Sequence, residues 1–523
     1  MESGSIASGA GQTTPGRESG FAPGDKGLKT GAIGYISNVV IGVASTAPGY
    51  SLAATLGFIV AVPGVGLSAP AVLLVSFLPM LCIAFAYNYM NRADPDCGTS
   101  FAWVTRALGP QMGWVAGWAI IAADIIVMAS LAQIAGIYSF LLVGWQSAAD
   151  TTWAVTLVGV VWIAIMTWIC VIGIELNATT QKWLLGAEIS TLALFAVVAL
   201  VKVAVTDVPT EAAPTLDWIN PFQISSFNAM IDGVLLGIFI YWGWDSGVAV
   251  NEESEDSHSG PGRAAVVSTL LLVLIYVVVS FSAQAYGGEK LLVDNADDVL
   301  SVLGGKVFGS PLDKLLIIAV LSSAAASTQT TILPTARTSL SMARWRALPR
   351  TFGTVSPKWQ TPTVSTIAMG AVSIVWYVAV NQLSQNVLGD SVTAIGFMIA
   401  WYYGFTGLAC IVYYRRSIFR SAKSFVLAGL LPFLGFVSLA YVFVRAYVDY
   451  GTKGYDQDYN YTPPWHGIEI PILIGIGGLL LGIVLMLGFW IVDRKGPFWR
   501  RRLEVARPAS LEEPPVTTAI APE

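Results

Sequence analysis

Charge is scarce in this chain. Asp, Glu, Lys and Arg make up only 12% of its 523 residues, about half the share a soluble protein of that length spends on its surface. Hydrophobic residues reach 55%, and a polar coat this thin makes sense where lipid replaces water around most of the molecule. The net charge of −5 is spread thinly, which leaves no basic face for nucleic acid. Histidine is nearly absent. His258 and His466 both fall in loop-like stretches, whereas a haem protein or membrane metalloenzyme draws His ligands from its helices. Cys82, Cys97, Cys170 and Cys410 show no CxxC spacing, and three of them lie in apolar runs, against disulfides or a thiolate metal site. A Walker loop, a channel filter loop, charged rings and a paired-aspartate motif are also missing. These gaps disfavour an ATP-driven pump, a channel and a membrane-embedded enzyme. No cofactor is expected.

What is present is a series of long apolar runs. A bilayer core about 30 Å thick takes roughly 20 helical residues, and such runs occur at about 33–61, 68–90, 111–143, 152–174, 179–203, 228–250, 262–284, 311–333, 363–383, 390–412, 424–446 and 468–492. The third is long enough for a steeply tilted helix. The expectation is an all-α polytopic membrane protein of about twelve transmembrane helices. Residues 1–28 and 503–523 are Gly-, Ser-, Pro- or Glu-containing and without an apolar core, so they read as disordered tails, the first not a signal peptide. With the N-terminus inside, 22 of the 28 Lys and Arg fall on the cytoplasmic side, as the positive-inside rule requires. Arg337, Arg344, Arg346 and Arg350 in one loop, and Arg415, Arg416, Arg420 and Lys423 in another, carry most of this bias. Both termini are therefore expected in the cytoplasm and the chain in the cytoplasmic membrane.

Two runs are interrupted. The first contains Val43-Ala44-Ser45-Thr46-Ala47-Pro48-Gly49-Tyr50-Ser51, where Pro48 cannot donate a ladder hydrogen bond and Gly49 weakens the helix. The sixth contains Phe239-Ile240-Tyr241-Trp242-Gly243-Trp244-Asp245-Ser246-Gly247, a carboxylate bracketed by glycines. Taken singly, one is a proline kink and the other a pair of packing glycines. Together they begin corresponding halves, residues 29–203 and 228–412, with 424–492 supplying two further helices. Paired interruptions at matching places point to a transporter site on inverted repeats. Freed N–H groups attract a carboxylate and freed carbonyls an ammonium or metal cation, so a zwitterionic amino acid fits both ends.

At these residues the chain resembles the amino acid–polyamine–organocation transporter superfamily, and the bacterial amino acid permeases within it, from about Gly31 to about Arg416. Gly42 to Ser51 sits where the family has its unwound first-helix loop, with Ser45, Thr46 and Pro48 partly replacing the usual glycines. Asp94-Pro95-Asp96-Cys97-Gly98-Thr99-Ser100-Phe101-Ala102-Trp103, ending at Gly109, looks like the Pro–Gly–aromatic signature after helix 2. Gly243-Trp244-Asp245-Ser246 looks like the sixth-helix element, and Thr335-Ala336-Arg337 through Leu348-Pro349, then Thr361-Pro362, like the stretch joining helices eight and nine. The resemblance implies a five-plus-five inverted-repeat fold with two extra helices, substrate held between helices 1, 3, 6, 8 and 10, and secondary transport of an amino acid or related amine by alternating access. Proton coupling is expected, with sodium coupling or exchange as the alternatives.

Asp124, Glu188 and Asp245 lie inside apolar runs. Each costs about 2.5–3.5 kcal/mol at a helix centre on insertion scales, so each requires a partner or a proton. The resemblance places Asp124 in the substrate cavity, where it would hold an amino group; a structural hydrogen bond to a neighbouring helix is the competing reading. It places Glu188 where some proton-coupled relatives carry a titratable lysine in the position of a sodium ion, against a role as structural anchor. Asp245 would couple protonation to gating, or cap the second half-helix. Ser45, Thr46, Ala47, Gly49 and Gly243 would offer main-chain groups to substrate, with Phe239 closing over its ammonium and Tyr241 beside it, unless both aromatics simply pack. The Ala324, Ser327, Thr328 spacing resembles a sodium-binding pattern; hydroxyls bonded back to their own helix explain it equally. The acidic loop Asn251 to Pro261 reads as solvated and without chemistry, Pro261 starting the next helix.

Overall fold

The computed structural model describes residues 26–205, 213–296, 298–384, 386–451, 463–501 and 503–504. Among them, eleven helices are long and apolar enough to cross a membrane, and no strand forms beyond isolated bridges. The chain is thus a multi-pass membrane protein.

The sixth run is the one missing from those eleven. It begins as α8, after the first run as α1 (Tyr35–Ser45) and α2 (Pro48–Ala61), then α3 (Ala69–Ala93), a short α4 (Ser100–Leu108), α5 (Pro110–Leu142), α6 (Thr152–Ile172) and α7 (Ile174–Val205). Helix α8 covers only Phe227–Ile240, 14 residues, about 21 Å of rise and too short for a bilayer. A turn follows, then the single-turn α9 (Ser246–Ala249). The remaining elements are α10 (Gly260–Asp294), α11 (Val299–Val307), α12 (Lys314–Arg344), α13 (Thr363–Leu383), α14 (Val387–Tyr414), α15 (Leu431–Tyr450) and α16 (Ile470–Val492).

Both expected interruptions are real breaks. Between α1 and α2, Ala47 sits in the left-handed region at φ 48°, strain that a non-glycine residue adopts only where its surroundings enforce it. Pro48 opens α2 at its first position, where a missing N–H costs nothing. After α8, Gly243 takes φ 116°. A Cβ there would lie 2.8 Å from the Ser45 carbonyl oxygen, so only glycine lets the two breaks touch.

Burial ranks the helices. The first run is 89% buried and α12 83% buried over their most apolar windows, against 28% for α16. The centre is therefore built by α1, α2 and α12, with α5 beside them, while α6, α7, α15 and α16 turn apolar side chains such as Trp168, Trp183, Val444 and Leu480 outward, as a lipid-facing ring does. At 33 residues, α5 is about 50 Å long and exceeds the hydrocarbon core, so it is tilted or projects beyond it.

Three expectations at the end of the bundle that carries both termini need correction. Residues 26–28 read as part of a disordered tail, yet Lys26 and Leu28 are buried; residues 1–25 lie outside the described residues. The sequence puts Arg337 in a loop, yet α12 continues through Pro334 to Arg344 and Arg337 is buried within it. The segment from Asn251 reads as solvated, yet Asn251 and Glu253 are completely buried. In each case the polarity that suggested solvent is matched by a partner distant in sequence. At the other tail, Glu504 pairs with Arg106 at 2.7 Å, and residues 505–523 lie outside the described residues.

Candidate functional site

The first break exposes main-chain groups, and Glu188 of α7 meets them. Gly49 N–H donates to Glu188 Oε1 at 2.7 Å, and Ser323 Oγ of α12 donates to the same oxygen at 2.8 Å. Ser323 in turn accepts from Tyr50 N–H at 3.1 Å. The start of α2 is thereby sealed by a carboxylate, which its N-terminal partial charge favours. Glu188 Oε2 is buried and, among the described residues, has no hydrogen-bond partner. One side of the carboxylate is tied to the break; the other is open for a proton.

The two breaks face each other directly. Ser45 Oγ and Ser246 Oγ are 2.8 Å apart, and Ser327 Oγ of α12 donates to the Ser45 carbonyl at 2.9 Å. Thr46 gives its carbonyl to Ser51 Oγ at 2.7 Å and to Tyr276 OH at 3.4 Å. Thr328 donates within its own helix, to the Ala324 carbonyl at 2.8 Å. Of the expected hydroxyl pair, then, only Ser327 reaches the first break.

Asp245, at the second break, sits in a cage of phenols. Tyr403 OH donates to Oδ1 at 2.8 Å, while Tyr402 and Tyr87 donate to Oδ2 at 3.3 and 3.4 Å. It makes no side-chain cap of α9, so the capping alternative does not describe this conformation. Beside it lies a narrow, water-sized cavity of about 10 Å³, lined among others by Ser45, Asp124, Trp242, Gly243, Asp245 and Tyr402. Asp124 reaches this cavity from α5 and accepts from Thr335 Oγ1 of α12 at 2.5 Å. The structural hydrogen bond and the cavity position therefore coexist. Two carboxylates and no cationic side chain line this space, a setting that favours a positively charged guest.

Phe239 and Tyr241 are buried next to the breaks. Phe239 meets the Tyr50 ring edge-on with centroids 6.4 Å apart. Tyr241 packs on Phe77 and Tyr276 and does not itself line the cavity; among the described residues its hydroxyl has no hydrogen-bond partner. Ala47 and Gly49 likewise belong to the break rather than to that lining.

Sequence reasoning assigned no role to Tyr87, Tyr402, Tyr403, Thr335, Ser246 or Ser323. A signal existed for two of them, because Trp401-Tyr402-Tyr403 is an aromatic triplet within the tenth apolar run. The others are single hydroxyls that only tertiary packing distinguishes.

At the terminal face the buried charges are fully paired. Arg337 holds Glu253 with two bonds, Nε to Oε2 at 2.6 Å and Nη2 to Oε1 at 2.8 Å. Lys26 pairs with Asp96 at 3.0 Å and with Glu252. Arg106 bridges Asp94 at 2.5 Å and Glu504. Burial pushes the Asp94 carboxyl up to about 6 against the pull of Arg106.

A family model described as amino acid permease matches residues 32–468. The chain is also similar to the low-affinity putrescine importer PlaP of Escherichia coli (strain K12), 22% identical over 377 residues, which cover 71% of this chain and 79% of the importer. It is similar to the vacuolar cationic amino acid transporter 4 of Arabidopsis thaliana, 24% identical over 64% of this chain and 55% of that protein. With the branched-chain amino acid permease BcaP of Lactococcus lactis subsp. cremoris it is 24% identical over 38% of this chain and 44% of that permease. The match spans both broken helices and every buried carboxylate described above, and the chain belongs to the amino acid permease family.

Proposed function

We propose that this protein is a proton-coupled secondary transporter of a small amine or cationic amino acid, working by alternating access across the cytoplasmic membrane with both termini in the cytoplasm. The observation that carries the reading is the contact of the two breaks, Ser45 against Gly243 and Ser246, beside a cavity whose ionisable groups are Asp124 and Asp245. Broken helices at membrane depth hold a solute through their bare main-chain groups. Symmetry-related halves, 29–203 and 228–412, would rock about that point.

The ammonium of the substrate would take Asp124 from Thr335, and the aromatic walls Trp242 and Tyr402 would exclude water around it. The names of the putrescine and cationic amino acid relatives agree with a positive charge on the substrate. Glu188 would carry the coupling proton. As a carboxylate it accepts charge-assisted bonds from Gly49 N–H and Ser323, which are stronger than those of the neutral acid. Protonation at the open Oε2 loosens that hold and frees the start of α2 to move. Asp245 would sense the same movement through its tyrosine cage.

Purified protein in proteoliposomes, offered a panel of amines and amino acids under an imposed proton or sodium gradient, tests this. Accumulation that collapses when the proton gradient is dissipated is the expected result. Uptake driven by sodium alone, or no accumulation of any amine, overturns it.

A further inference from the structure

The N-terminal segment crosses the terminal face as a strap. Lys26 buries its ammonium between Asp96 Oδ1, at 3.0 Å, and Glu252, with Cys97 Sγ 3.4 Å away. Its carbonyl accepts from Arg344 Nη2 at 3.0 Å. Leu28 packs with Cys97 and Leu340. Ala32 and Ile33 N–H both donate to the Glu253 carbonyl, and Glu255 N–H donates to that of Ile33. Residues 26–33 thus tie together three segments: the 94–99 loop, the stretch after α9, and the end of α12. The latter two continue directly from cavity walls, Gly243 to Ser246 on one and Thr331 and Pro334 on the other. For the cavity to open toward this face, those walls must part.

We propose that Lys26 is a gate-positioning residue: its ammonium, seated among Asp96, Cys97 and Glu252, latches the strap across the terminal face and holds the cavity shut on that side. The inference rests on the transport reading, since only an alternating cycle requires this face to open.

The charges make the latch two-state. Burial alone would lower the Lys26 ammonium, but Asp96 and Glu252 overcome it and hold it above its usual range. Burial pushes Asp96 up, yet Lys26, Ser341 and Gly98 N–H pull it below the usual carboxylate range. Withdrawing Lys26 leaves a buried acid without its cation, an arrangement tolerated only if water enters. Of the other charges at this face, Arg337 is committed to Glu253 and Arg106 to Asp94 and Glu504, while Arg344 binds the strap's own main chain. Lys26 is the cation that seats itself in the Asp96 and Glu252 pair.

Cys97 is a native reporter. It is fully buried beneath Lys26, and burial pushes its thiol well up, so it reacts slowly while the latch is closed. Cys410, buried on α14 with its thiol donating to the Ala428 carbonyl at 3.6 Å, is the internal control. Full-length purified protein is treated with N-ethylmaleimide and both cysteines are followed by peptide mass spectrometry. Lys26→Met should speed alkylation of Cys97 about tenfold or more with Cys410 unchanged, and Lys26→Arg should restore much of the protection. Unchanged Cys97 reactivity in Lys26→Met overturns the latch. So does a parallel rise at Cys410, which would make Lys26 a general structural pin. The labelling needs no transport, so a failed uptake assay and a failed latch are separate results.

Discussion

Two of the groups of buried carboxylates in this molecule have partners that differ in kind. At the terminal face Asp96 and Glu253 each meet a built-in cation, Lys26 and Arg337. Inside the bundle Glu188, Asp124 and Asp245 meet hydroxyls and a main-chain N–H instead, and among the described residues none forms an ion pair. A carboxylate neutralised by its own lysine or arginine asks nothing of the surroundings. One held only by neutral donors still lacks a positive charge, and at membrane depth that deficit is filled by a proton or a guest cation. The outer set is suited to closing the protein, the inner set to carrying something.

That contrast breaks most visibly at Arg337. Arg337→Met should cost about 3–5 kcal/mol, because it strands Glu253 in the interior, and thermal unfolding followed by fluorescence-detected size exclusion would read the loss. Adding Glu253→Leu should recover most of it, since a buried pair replaced by apolar groups is often close to neutral. A double variant no better than the single would show that the pair does more than neutralise itself.

The inner set should behave in the opposite way. Glu188→Gln keeps an acceptor for Gly49 N–H and Ser323 but cannot titrate. It should leave stability within about 1 kcal/mol of the parent while abolishing proton-driven accumulation and sparing substrate exchange. Full accumulation in this variant would remove Glu188 from the coupling.

Asp124 sharpens the comparison on the substrate side. Replacing a charged acceptor costs a ligand roughly 2 kcal/mol, about thirtyfold in affinity. Asp124→Asn should weaken cationic substrates by about that factor and neutral amino acids far less, measured as competition in proteoliposome uptake. Equal losses for both would return Asp124 to a structural role through Thr335.

The smallest expected effect is at Asp94, whose carboxyl burial pushes up to about 6. Because it binds its proton more tightly in the folded protein than in the unfolded chain, its contribution favours the fold fully below about pH 4 and is lost as pH rises through about 6. Asp94→Asn should flatten the Tm profile between about pH 4 and 6 by about 1–2 °C. An unchanged slope would assign that pH dependence to other groups.

Much of the site was legible from local chemistry. Pro48 after a run of small residues, and Gly243 before Asp245, mark helix breaks because proline lacks a donor and glycine accepts a positive φ. Acids inside apolar runs announce themselves by their cost. The misreadings share one cause. Lys26 follows a Gly- and Pro-rich stretch, Glu252 and Glu253 sit in an acidic segment, and Arg337 follows a proline, so each looks solvent-bound to any short window. Their partners lie far off in sequence, 226 residues away for Lys26 and Glu252 and 84 for Arg337 and Glu253. The Tyr87 phenol gave no warning, since a lone tyrosine in an apolar run is unremarkable until a carboxylate stands beside it.

The amino-acid sequence by itself determined that the chain is a helical, multi-pass membrane protein, and where two of its helices open. Hydropathy, proline and glycine act over a few residues, and their consequences are settled locally. Tertiary structure alone decided which charges are satisfied and which are left in want. That depends on whether a cation from elsewhere in the chain is brought within about 3 Å, and at the terminal face it is, while beside Glu188 and Asp124 it is not.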